Sequence, residues 1–180
     1  MTQYHASHHS RTRRHASIAG LALAGSLLLG LLLGACGKSS PTRLQNTFDS
    51  PEDLIQRALK AIQEEDSAGL QALCISRYEH DSVLVPAMGK DSVDLDLAWF
   101  LLQANVDKGI AYALNVYGKR TLKLEKVEFE GGDEFYGPIT LHRVPRVTVA
   151  EPATGEEFVL TCFGTVAEED GHFKLVSIRD

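Results

Sequence analysis

The chain predicts an α+β domain in which N-terminal helices pack on a mostly antiparallel sheet. Three observations carry this. Apolar residues recur at helical spacing from Leu54 to about Gly118, and from Lys119 onward they recur every second residue. Turn residues at Glu130-Gly131-Gly132-Asp133, at 152–155 and at Asp170-Gly171 then cut the second half into strands. Helices that precede a run of hairpin-linked strands belong to the α+β class, not to an alternating α/β one.

Residues 1–35 read as a secretory signal peptide. Arg11, Arg13 and Arg14 make a basic start, residues 18–33 an apolar middle, and Gly34-Ala35 a small-residue finish. Cys36 follows directly, so Leu33-Gly34-Ala35-Cys36 resembles, position by position, the lipobox of bacterial lipoproteins. The resemblance implies a diacylglyceryl group on the Cys36 sulfur, cleavage between Ala35 and Cys36, and a new amino group open to acylation by a fatty acid such as palmitate. Two or three acyl chains, at about 0.8 kcal/mol per buried methylene, make a stable anchor where one chain binds only marginally.

An uncleaved spanning helix is the competing reading, since residues 18–35 number 18 and a span needs about 20. Gly20, Gly25, Gly30 and Gly34 weaken such a helix, and Cys36 stands where a lipobox requires it. Arg13-Arg14 is a weak twin-arginine signal, because His15-Ala16-Ser17 follows where apolar residues are usual. His5, His8 and His9 precede the cut and receive no ligand role. The expected location is therefore the cell envelope, outside the cytoplasm. Gly37, lacking the Asp associated with inner-membrane retention in some bacteria, points to the outer membrane, with the inner one left open.

Three of the 18 basic residues and none of the 24 acidic ones fall before Cys36, so the mature chain carries nine more acids than bases. That excess argues against nucleic acid or anionic headgroups as partners, which need clustered Lys and Arg. The 145 residues from Cys36 onward suit one domain with a sizeable core. Cys36 is spent on lipid. Cys74 and Cys162 remain, both in apolar settings, either as buried thiols or as a disulfide formed in an oxidising compartment.

Residues 36–49, polar and breaker-rich at Gly37-Lys38-Ser39-Ser40-Pro41, read as a tether before a domain at 50–180. Ser50-Pro51-Glu52-Asp53 offers a hydroxyl cap, a proline in the first turn and two acids, and the stripe Leu54, Ala58, Ile62 continues it as a helix. Asp66 caps a second helix bearing Leu70, Leu73 and Cys74. Val83-Leu84-Val85-Pro86 reads as extended, with Pro86 confining it to an edge. Asp91-Ser92 restarts helix, Gly109 is a candidate break, and Gly118 terminates. Leu97, Leu101 or Ala104 is the face expected against the sheet.

Leu122 and Leu124 share one alternating phase while Val127 and Phe129 share the other, so a bulge near Glu125-Lys126 is required to keep all four on one side. Ile139, Leu141, Val147 and Val149 make the next strand, with an edge or bulge at Pro145. Residues 156–166 are apolar in both phases and read as one strand interior to the sheet. Residues 173–178 return as the last strand after a turn in which Gly171 supplies positive φ.

The run from Ala58 to Asp66, followed by Leu70 to Leu73, and the closing Glu169-Asp170-Gly171-His172-Phe173-Lys174-Leu175 resemble the ketosteroid-isomerase-like, or nuclear-transport-factor-two-like, superfamily. That resemblance implies a sheet curved around helices, a cystatin-like cone, with a pocket between them. Its members include isomerases, hydrolases and non-catalytic binding modules, so the fold does not choose a function.

For proton-transfer chemistry one wants a buried carboxylate or His with a Tyr beside it. Trp99, Tyr112 and His142 are the candidate pocket residues, yet no spacing ties them together, and such residues are more often core or solvated than part of a pocket. His80-Asp81 has the composition of half a dyad, but neighbours at a helix-to-loop junction usually face different ways. No phosphate loop or metal-ligand spacing is present in the sequence, so no cofactor or metal is expected. The reading is a membrane-anchored envelope lipoprotein whose domain binds a small apolar ligand or an envelope protein. The alternative is a small ketosteroid-isomerase-like enzyme acting on an apolar molecule.

Overall fold

Residues 43–90 and 92–180 are described by the computed structural model, so Cys36, the signal segment and Asp91 lie outside the described residues. The helices come first. α1 (Pro51–Gln63) begins where Ser50 Oγ accepts a hydrogen bond from Asp53 N–H at 3.1 Å, and α2 (Ser67–Leu73) where Asp66 accepts from Gly69 N–H at 2.8 Å. Leu54, Ala58 and Ile62 are fully buried, as their spacing requires.

Residues 83–86 are not extended. A capped turn α3 (Arg77–Glu79) runs directly into a π-helical turn (His80–Leu84) and then α4 (Val85–Ala87), with Pro86 at the start of α4. Asp94, not Asp91-Ser92, caps α5 (Leu95–Tyr117) by accepting from Leu97 N–H. Gly109 does not break this 23-residue helix. A Cβ there would overlap the backbone of Ile178 and Arg179, so the glycine is the point where α5 and the last strand touch.

Seven antiparallel strands follow in two sheets. β1 (Lys123–Phe129), β4 (Pro145–Glu151) and β5 (Glu156–Leu160) form one, in the order β1-β4-β5. β2 (Asp133–Tyr136), β3 (Ile139–Arg143), β6 (Phe163–Glu169) and β7 (His172–Ile178) form the other, in the order β2-β3-β6-β7. The expected bulge lies in β1, where the register with β4 shifts between Leu124 and Lys126. Leu124, Val127 and Phe129 accordingly all pack against the same core.

Two strand readings are corrected. The span from Ile139 to Val149 is two strands, because Val144 takes φ 49 and passes the chain from one sheet to the other. Residues 156–166 likewise break at Thr161-Cys162. β5 is an edge of the three-stranded sheet, and only the β6 portion is interior. There Val166 and Ala167, on opposite faces, are both fully buried, under two separate cores. β6 and β7 are joined at Asp170 and Gly171, both at positive φ, the geometry of a tight hairpin turn.

The helix face is also corrected. Leu97 and Leu101 are more than half exposed and Ala104 half-buried, while Val106, Ile110, Ala113 and Tyr117, further along α5, enter the main core with Leu160, Phe163 and Ile178. The packed body also starts earlier than residue 50. Leu44 is buried, and Phe48 exchanges backbone hydrogen bonds with Phe173 at 2.9 and 2.7 Å, covering the outer edge of β7 together with the Cys74–Leu175 bridge. Cys74 and Cys162 are both buried as free thiols, so the disulfide weighed from the sequence is not formed. Burial pushes each thiol up to about 12.

Candidate functional site

A cavity of about 250 Å³ opens between the π-helical turn, the first half of α5 and one face of the four-stranded sheet. Its walls are chiefly apolar: Leu84, Val85 and Met88 from the helical turns, Ala98 and Leu102 from α5, Leu141 and Val176 from the sheet. Polar groups enter from three places, as His80, Thr165 and Arg143, with Lys90 alongside. A larger concavity of about 590 Å³ between α1 and β1 is a surface groove whose charged residues, Asp53, Arg57, Lys60 and Lys123, all stand in solvent. The smaller cavity is where buried polar chemistry meets apolar surface, the usual make-up of a ligand site.

His80 is placed by the π turn. Widening the helix at this residue brings two adjacent side chains together, so His80 Nδ1 lies 2.6 Å from Asp81 Oδ1. Arg77, one turn earlier, donates to Asp81 at 3.3 Å and also pairs with Asp96 of α5. Burial works against the Asp81 carboxylate, but hydrogen bonds from His80 and Arg77 outweigh it and hold the group below its ordinary value. An ionised Asp81 favours the tautomer with the proton on His80 Nδ1, in which Nε2 is an acceptor.

His80 is only 5% exposed, and Nε2 has no hydrogen-bond partner among the described residues. Since no fully buried side-chain polar atom among these residues lacks a partner, Nε2 is not fully buried, and His80 is one of the residues that line the cavity. The arrangement can accept a hydrogen bond from a bound O–H or N–H, or take a proton from one. The Trp99 ring lies 5.6 Å from that of His80.

The three pocket residues read from the sequence are not brought together. Trp99 backs His80 and faces a neighbouring polar cleft shared with Gln45, Gln103 and Lys174. Tyr112 lies on the second half of α5, edge-on to Tyr117 with ring centroids 6.1 Å apart. His142 is held at both nitrogens, by Asp133 at 2.7 Å and Glu168 at 2.8 Å, and stacks on Phe129, so neither nitrogen is left for a ligand.

Beside the site lies an ion pair with no obvious periodic signal in the sequence. Lys174 and Glu79 are 2% and 1% exposed, and Lys174 Nζ donates to both Glu79 oxygens at 2.8 and 3.0 Å and to Gln45 O at 2.6 Å. Glu79 also accepts from Gln45 N–H and from the N–H and hydroxyl of Ser76. Only the Ser76-x-x-Glu79 spacing of a capping box was legible beforehand.

Comparison with protein-family models, with curated proteins and with solved structures found no match. Among the described residues no helix is long and apolar enough to cross a membrane, and no cluster of His, Cys, Asp and Glu is arranged to hold a metal ion.

Proposed function

We propose that this is a bacterial lipoprotein, anchored to the envelope through Cys36, whose body is a non-catalytic module that takes a small, largely apolar molecule into the His80 cavity. The observation that carries the binding reading is the pairing of an apolar-walled cavity of about 250 Å³ with one open ring nitrogen, an acceptor that orients a ligand hydroxyl or amide. The lipid anchor is supported by Leu33-Gly34-Ala35-Cys36. The cavity's position between α5 and the interior part of the sheet supports the ketosteroid-isomerase-like cone as the finer description of the fold.

Trp99, the sole tryptophan of the chain, reports on this site through its contact with His80. Titration with small aromatic alcohols should change its fluorescence saturably, and His80→Ala should weaken binding about tenfold, the worth of one hydrogen bond of about 1.4 kcal/mol. Filling the cavity with Ala98→Phe should abolish it. A Trp99 signal indifferent to every such compound would end the binding reading. Mass spectrometry of the membrane fraction tests the anchor: a mature N-terminus other than acylated Cys36 would end that reading separately.

The His80–Asp81 contact favours a second reading, an enzyme in which Nε2 is the proton acceptor. Conversion of a bound compound, lost in His80→Gln while binding persists, would favour it over the module.

A further inference from the structure

We propose that the cleft enclosed by the segment ahead of α1, by α2 and by α5 is a second ligand site, one that takes a neutral sugar of one or two rings. Its volume is about 380 Å³, within the range of small-molecule pockets. Four amide side chains reach it from three places in the chain: Gln45 and Asn46 from the segment ahead of α1, Gln71 from α2 and Gln103 from α5. The half-buried Trp99 ring stands among them.

The hydrogen-bonding capacity of the amides indicates the ligand. A primary amide carries two N–H donors and two carbonyl lone pairs. Gln71 and Gln103 spend one of each on one another, Nε2 to Oε1 at 3.5 and 3.3 Å, and Gln103 gives its second N–H to Asp107 at 2.7 Å. Gln71 therefore keeps one donor and one acceptor, and Gln103 keeps one acceptor. The Gln45 and Asn46 side chains make no hydrogen bond among the described residues. A vicinal pair of sugar hydroxyls, each donor and acceptor at once, matches this mixed supply. The C–H face of a sugar ring suits the electron-rich face of an indole.

Charge and backbone exclude the neighbouring ligand classes. Lys174 and Glu79 neutralise each other at the cleft, and Arg77 is paired with Asp81 and Asp96. Among the lining residues no charge is left unpaired to draw an anion, or a zwitterion such as a free amino acid. A peptide recognised by strand addition needs open backbone groups. At this cleft the Gln45 N–H goes to Glu79 and its carbonyl accepts from Lys174, while the Ile75 N–H goes to Leu175 O. What remains on offer is side-chain amide and aromatic ring, which select an uncharged polyol.

Trp99, the sole tryptophan, gives a single indole N–H resonance in the mature protein, held in a detergent that has no sugar headgroup. Titration with cellobiose and with chitobiose should move that resonance saturably for at least one of the two. Gln71→Ala and Gln103→Ala should each weaken the binding about tenfold, as for one lost hydrogen bond. Gln71→Glu still accepts from Gln103 but has no N–H to give, so it should weaken binding equally with an unchanged circular-dichroism spectrum, even where truncation disturbs the contact between α2 and α5. A ligand of the His80 cavity also moves the Trp99 signal, so dependence on Gln71 and Gln103 is what assigns a sugar to this cleft and leaves the His80 reading untouched. Sugar binding insensitive to all three changes overturns the proposal, as does a resonance that neither disaccharide moves up to its solubility. Tighter binding of the uncharged peptide acetyl-trialanine amide, lost in the same variants, overturns it in favour of a peptide site.

Discussion

Replacing Lys174 by Met tests how the body is held together, because the change removes charge and donors but little volume. Lys174 Nζ has three acceptors within 3.0 Å and is almost wholly buried, as is its partner Glu79. Without the ammonium, a buried carboxylate keeps three neutral donors, from Gln45 and Ser76, but no countercharge, and Gln45 O loses its donor. Breaking one side of a buried ion pair costs about 3–5 kcal/mol. For a body of this size about 3 °C is lost per kcal/mol, so the melting temperature should fall by about 10–15 °C.

Replacing both partners, Glu79→Leu with Lys174→Met, should restore most of that loss, since two apolar groups leave nothing buried and unpaired. The pH dependence adds a second check. Burial alone would raise the Glu79 carboxyl, but hydrogen bonds from Gln45, Lys174 and Ser76 outweigh it and hold the group below its ordinary 4.5. A lowered folded-state value stabilises the fold above pH 4.5, and that contribution is lost as pH falls through the folded value. Wild type should therefore lose stability in acid more steeply than Glu79→Gln, measured by circular dichroism melts between pH 7 and 3. A Lys174→Met loss under about 1 kcal/mol, or a double variant no more stable than the single one, would refute this account.

Gly109→Ala, which in an open helix gains about 1 kcal/mol, should here lower stability by about 1–2 kcal/mol in urea unfolding, because the new methyl meets the backbone of Ile178 and Arg179. Cys74 and Cys162, buried with thiols raised to about 12, should resist iodoacetamide at pH 8 in the folded protein and both react once it is unfolded; fast labelling of the native state would show that the core opens. Val144→Gly should leave the melting temperature unchanged or raise it by a few degrees, since a β-branched residue at φ 49 costs about 1–2 kcal/mol and glycine does not incur that cost. His142→Phe should destabilise, by leaving Asp133 and Glu168 without their shared partner; an unaffected denaturation midpoint would count against its role in the sheet.

What the sequence determined by itself was local. Ser50 and Asp66 cap helices through their own side chains, the out-of-phase pairs Leu122/Leu124 and Val127/Phe129 demand a bulge, and Asp170-Gly171 turns because two positive φ values suit it. Each of these is decided within a few residues, so periodicity and turn chemistry suffice. The tertiary structure decided what depends on partners distant in the chain. The exposed Leu97 and Leu101 and the buried Ile110 and Ala113 look alike in sequence, and only the contact at Gly109 with Ile178 selects which half of α5 meets the sheet. Residues 156–166 carry the pattern of one interior strand, yet the break at Thr161-Cys162 hands its two halves to different sheets. His80 became a site residue because a π turn folded it onto Asp81, and Glu79 met Lys174 across 95 residues because burial leaves a charge no cheaper partner than an opposite one.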